Sequence, residues 1–220
     1  VGSNNTCRDN FKRQHLANAQ RILFMSILDV SFVICDADAR GCAIRFASKG
    51  FVDLFGHPLN TCIGKTYGPF VGCLSIVGSG KTGLQSLAKT NGLSVNVVEK
   101  GFKYLMCQVK EQYARIRNNS DLTGCALQLN QKQDGTVFVC EMRLEKKMHP
   151  LTGWPFYLVV QRDISEFVSI PQLIQAAACG EYDALVQRFD IASNQLLAPF
   201  RSTEGANALH ETARAMWQSS

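Results

Sequence analysis

The chain has 220 residues, 46% of them hydrophobic and 19% charged, with a formal net charge of +5. That length suits one well-buried domain plus an accessory element, the charge is too mild to argue nucleic-acid binding, and no apolar run reaches the length of a membrane span. Nine cysteines in odd number, with no Cys-x-x-Cys pair, exclude a zinc motif or a disulfide framework and leave small, reduced, buried thiols. With no signal peptide, the sequence reads as soluble and cytoplasmic, without a membrane or nucleic-acid partner. Val1-Gly2-Ser3 opens it without a methionine, as a segment of something larger would.

In chain order, residues 8–28 read as a helix, with Phe11, Ala19, Ile22, Met25 and Leu28 at helical spacing and Asp9 or Asn10 as cap. A strand over 31–36, a turn over 38–41 and a partner strand over 42–47 follow, and Pro58 begins a short segment that ends at Gly64. Gly80-Lys81-Thr82 invites a phosphate-loop reading. That loop needs a glycine at position 75, where Ser75 stands, so a solvated loop is expected instead. Residues 93–98 read as a strand and 102–116 as a helix with Leu105, Val109 and Tyr113 on one stripe. Around that helix Lys100, Lys103, Lys110, Arg115 and Arg117 outnumber Glu99 and Glu111. Such a run is a solvated face, or it meets phosphates or an acidic partner.

Residues 130–165 read as a hairpin. Asp134-Gly135 supplies a tight turn, apolar and polar residues alternate over 136–144, Pro150 to Gly153 breaks the pattern, and 156–160 is an apolar run. Asn130 and Cys140 are evenly spaced and face one way if the strand stays regular, while Gln161 sits among apolar neighbours where an unpaired amide is costly. A buried hairpin with one satisfied glutamine explains this equally. In the tail, Pro171 starts a helix that Gly180 ends, and 182–189 makes a second, with Pro199 and Arg201 interrupting the stretch beyond. His15, His57, His149 and His210 have no neighbouring nucleophile or acid in a catalytic arrangement, so no enzyme is expected.

The Asp134-Gly135-Thr136 turn and the ending Val160-Gln161-Arg162-Asp163-Ile164-Ser165 resemble the last strands of a PAS domain, specifically its LOV (light, oxygen, voltage) branch. Phe51-Val52-Asp53-Leu54-Phe55-Gly56-His57 is similar to that family's helix after the second strand. The resemblance implies an α+β fold: a PAS-like five-stranded antiparallel sheet with flanking helices, an inserted segment and a helical C-terminal tail. Its parts would be a flanking helix over 1–30, a sensor domain over 31–167 with an insertion at about 73–118, and a tail over 168–220. Leu173 to Gly180 and Ala208 to Ala215 also resemble two ankyrin-repeat starts, with Leu173 and Leu209 36 residues apart.

In the LOV branch an asparagine before the Asp-Gly turn, another ten residues on and a glutamine in the last strand hold the edge of a flavin ring. Asn130 and Gln161 match two of these positions and Cys140 stands at the third. Of the branch's signature loop only Gly64 is kept: Tyr67 takes the place of the adduct-forming cysteine, Gly68 that of a phosphate-pairing arginine and Val71 that of a ring-contacting glutamine. Thr66 and Leu144 complete the implied contact set. The implied function is a sensory domain that binds a flavin, FMN or FAD, and relays a light or redox signal to its flanking helices without a cysteinyl adduct. The alternative is a PAS module without cofactor that meets a protein partner, or a second copy, through those helices. A haem would need a ligand histidine on the long helix, and 99–117 contain none.

Overall fold

The computed structural model describes residues 28–39, 41–77, 81–119, 123–149 and 152–218. The helix read over 8–28 lies outside this set except for Leu28, and so do Gly78 to Gly80.

Strand β1 (Phe32–Asp36) is buried at every position, as an apolar run covered on both faces must be. It turns through Gly41 and Cys42, both at positive φ, into β2 (Ile44–Ala47). Helix α1 (Lys49–Phe55) follows at once because Ser48 caps it, accepting from the Phe51 amide. The same Ser48 hydroxyl donates to the Val30 carbonyl and accepts from the Phe32 amide, which ties the helix start to β1. Three short helices come next, α2 (Leu59–Cys62), α3 (Tyr67–Val71) and α4 (Cys73–Val77), and then α5 (Lys81–Thr90) and the 24-residue α6 (Val95–Asn118).

The strand read over 93–98 is therefore absent: Val95, Val97 and Val98 open α6. Ser94 caps this helix through the Val97 amide, and Val98, Phe102 and Leu105 continue a helical stripe that overrides the local β-branched preference.

Strands β3 (Thr123–Gln131), β4 (Val137–Met148) and β5 (Pro155–Asp163) complete an antiparallel sheet of order β2-β1-β5-β4-β3. The fold is α+β and PAS-like, as the resemblance implied. The stretch read as one hairpin is the end of β3 plus two full strands. Asn130 lies opposite Phe138, and Cys140 opposite Gln128. Asn130 and Cys140 thus share a face across a turn, where the spacing argument had placed them on one strand.

The tail forms α7 (Ile170–Cys179), α8 (Tyr182–Arg201) and α9 (Thr203–Gln218). Pro171 sits in the first turn of α7 and Gly180 closes it at positive φ. Pro199 lies inside α8, where an interruption had been expected. All three helices pack back on the domain. Alternation divides the central strands: Val33, Cys35, Tyr157 and Val159 face inward toward α1 and α3, whereas Phe32, Ile34, Phe156 and Leu158 face outward onto Leu197 and Phe200 of α8 and Leu209 and Ala213 of α9. Leu173 instead joins α6 in a separate cluster with Leu127 and Val139.

Three contacts fix the tail. A Cβ at Gly101 of α6 would come within 2.6 Å of the Ile174 carbonyl oxygen, so only glycine admits α7 this close. The Tyr182 hydroxyl donates to the Leu127 carbonyl and accepts from its amide, both at 2.9 Å, which covers the open side of the edge strand β3. Arg201 reaches the buried Glu145 at 2.7 Å. Elsewhere on β4, Glu141 is wholly buried and pairs with Arg143 and Arg162.

Candidate functional site

A cavity of about 430 Å³ opens between the β1–β2 turn, α3, α6 and β3. Pro69, Met106, Val109 and Tyr113 form apolar walls, Thr66, Tyr67 and Gln128 contribute polar groups, and Lys110 and Arg117 bring positive charge from α6. Its size falls in the range of small-molecule sites, which are mostly apolar with a few placed polar groups. Cys42, at φ 54, is the one non-glycine residue at positive φ among the described residues, and it lines this cavity. Unusual backbone of this kind is frequent beside ligands.

Tyr67 belongs both to the cavity wall and to the core behind it. It opens α3 directly after Thr66, which bridges to Ala43. Its hydroxyl accepts from the Asn130 side-chain Nδ2 at 2.9 Å. Burial drives the Tyr67 pKa well up, Cys140 adds to the shift and the Asn130 hydrogen bond opposes it, so the phenol stays protonated. Asn130 is fully buried, and its Oδ1 has no partner among the described residues.

Gln161 is buried on β5, opposite Met142. Its Oε1 accepts from the Ser31 hydroxyl at 3.1 Å and its Nε2 donates to the Val159 carbonyl at 3.0 Å. The Gln161 backbone N–H also donates to the Ser31 carbonyl, so this residue ties β5 to the start of β1. Cys140 and Leu144 lie on the same inner face, fully buried, with Tyr67 in one cluster.

Of the residues singled out in the sequence, Asn130 and Tyr67 therefore touch, Thr66 and Tyr67 line the cavity, and Asn130, Gln161, Cys140 and Leu144 sit in the core outside the cavity lining. Sequence reasoning missed Cys42, Cys73, Met106 and Gln128. The stripe of Val109 and Tyr113 and the basic run through Lys110 and Arg117 were visible, but only the fold shows that they meet one cavity. Burial raises the pKa of every thiol here: Cys73 to about 11, Cys42 less so, and Cys140 far above the usual thiol range. None is a ready nucleophile.

Asn130 keeps a side-chain acceptor without a partner among the described residues, while its Nδ2 donor is engaged with the Tyr67 hydroxyl; a side-chain amide of this kind can serve a ligand edge that alternates donors and acceptors. Among the described residues no group of three or more His, Cys, Asp or Glu is placed to hold a metal ion, and no helix is long and apolar enough to cross a membrane.

No protein-family model matches the chain, and no curated protein matches its sequence. Among solved structures it is similar to a fungal LOV domain photoreceptor at 18% identity, covering 62% of this chain and 74% of that one with a TM-score of 0.42. A variant of Vivid aligns at 13% identity over 62% of this chain and 83% of that one, TM-score 0.44. The PAS domain of the fruit-fly ELK potassium channel aligns at 19% identity over 62% and 87%, TM-score 0.41.

Proposed function

We propose that this chain is a sensory module that binds a flavin in the cavity beneath α6 and passes its state through the sheet to the tail. The cavity itself carries the reading: about 430 Å³ with aromatic and aliphatic walls, cations at Lys110 and Arg117, and the lining residue Tyr67 bonded to the buried Asn130. Pro69, Val109 and Tyr113 would bound a planar ring system, Lys110 and Arg117 would meet a phosphate, and Asn130, which lies outside the cavity lining, would meet the ring edge only once the Tyr67 hydroxyl turns aside. A bound flavin supplies blue-light absorption and one- or two-electron redox chemistry. The protein's part is to exclude water, hold the polar edge and register a change there. Gln161 is the element that registers it, because its amide links β5, which runs on toward α7, to Ser31 at the start of β1. Tyr67, standing where the resemblance places the adduct-forming cysteine, supports relay without a cysteinyl adduct.

A second reading has its own observation. The Tyr67 hydroxyl already occupies the Asn130 amide, as it would in a module that has replaced its cofactor by a side chain and works as an interaction platform. Purification in the presence of FMN or FAD separates the two. Flavin absorbance that stays with the protein through gel filtration supports the sensor, and colourless protein supports the platform.

A further inference from the structure

We infer that α9 is clasped to the sheet by a histidine pair that acid opens: His210 holds its place against His149 only while it is neutral. Helix α9 buries Leu209 and Ala213 on the outer face of β1 and β5, and the half-buried His210 lies next to them. Its ring faces His149, with centroids 6.4 Å apart and planes at 67°. His149 follows β4 and is 3% exposed. The Thr152 amide donates to its Nδ1 at 3.2 Å, so that nitrogen is taken and cannot accept from an imidazolium at His210.

The other charged groups around the clasp give no relief. Lys147 on β4 adds positive charge near His210, and its partner Glu145 is shared between Lys147 at 2.8 Å and Arg201 of α8 at 2.7 Å. On β2, against which α9 also packs, Arg45 is bound to Asp36 at 2.9 Å. On α9 itself, Glu211 is exposed and turned to Arg214 at 3.7 Å. A proton on His210 therefore places a charge in a half-buried position against a buried ring and within the field of an ammonium. Burial, His149 and Lys147 each lower its pKa below the usual 6.5. The group is neutral in the docked state and binds a proton more readily when released. Docking is thus fully supported above about pH 6.5 and is lost as the pH falls through the lowered value. Opening uncovers part of the apolar face formed by Phe32, Ile34 and Leu158.

The test is backbone amide exchange on the whole chain at about pH 7.5 and about pH 5.5, corrected for the intrinsic pH dependence of exchange. Residues 203–213 are followed, with strand 123–131 as internal reference. The parent should lose protection severalfold over 203–213 at the lower pH while the strand keeps its own. His210→Gln, neutral at both pH values, should show no such loss, and Lys147→Met, which removes one opposing charge, should show a smaller one. Protection in the parent that does not change with pH, an equal loss in His210→Gln, or a parallel loss in the reference strand would each overturn the clasp.

Discussion

Replacing Tyr67 by phenylalanine probes the contact on which the site depends. The ring keeps its place in the cavity wall, but the Asn130 Nδ2 loses its acceptor at 2.9 Å in a residue that is fully buried and whose Oδ1 already lacks a partner. Leaving a buried donor unmet costs about 1–3 kcal/mol. With a urea slope of about 2 kcal/mol per M, the unfolding midpoint should fall by about 0.5–1.5 M without a change of slope. Pairing it with Asn130→Leu removes both partners and the orphaned oxygen together, so the double variant should return to about the stability of the parent or exceed it. Equilibrium urea unfolding of the parent, both single variants and the double variant measures this. An unchanged midpoint in Tyr67→Phe, or additive losses in the double variant, would refute the argument that Tyr67 and Asn130 satisfy one another.

Gly101→Val should destabilise by about 1–3 kcal/mol, seen as a lower thermal midpoint, because its Cβ would meet the Ile174 carbonyl oxygen at 2.6 Å and force α7 outward. Glu145 is disfavoured as a charge by burial, yet hydrogen bonds from Lys147 and Arg201 outweigh this and hold its pKa below 4.5. Its contribution is present above that value and lost as the pH falls below it, so Glu145→Gln should flatten the acid limb of the stability profile. With flavin bound, illumination should give no blue-shifted adduct band, since Tyr67 stands where the resemblance places the adduct-forming cysteine; such a band in the parent, lost in an alanine variant of Cys42, Cys73 or Cys140, would contradict this. Reduction of the flavin should speed amide exchange over 171–190, and Gln161→Leu should keep the fold while abolishing that response, because it cuts the Ser31 and Val159 hydrogen bonds.

The sheet was legible because its signals are local. The alternation over 136–144, the Asp134-Gly135 turn and Pro171 at the start of its helix each act within a few residues, and each carries its element. The start of α6 was not, since Val95, Val97 and Val98 favour a strand by themselves and become helical only through Phe102 and Leu105, whose partners Leu173 and Ile174 come from the tail. Asn130 and Gln161 stood out as polar residues in apolar surroundings, and both are buried. Their partners were hidden: Tyr67 is 63 residues from Asn130 and Ser31 is 130 from Gln161, separations that no period in the sequence encodes. The cavity was hidden for the same reason, because its walls come from segments that begin at Gly41 and end at Gln128.

Flavin retention by a cavity-filled variant tests whether the space beneath α6 is the flavin site. Val109 lies on the cavity wall and is partly buried, so Val109→Trp should fill the space while α6 stays on the sheet, as far-ultraviolet circular dichroism can verify. Both proteins are loaded with FMN and passed through gel filtration. Flavin absorbance should stay with the parent and be absent from the folded variant. Absence of flavin from the parent, or equal flavin in both, would contradict it.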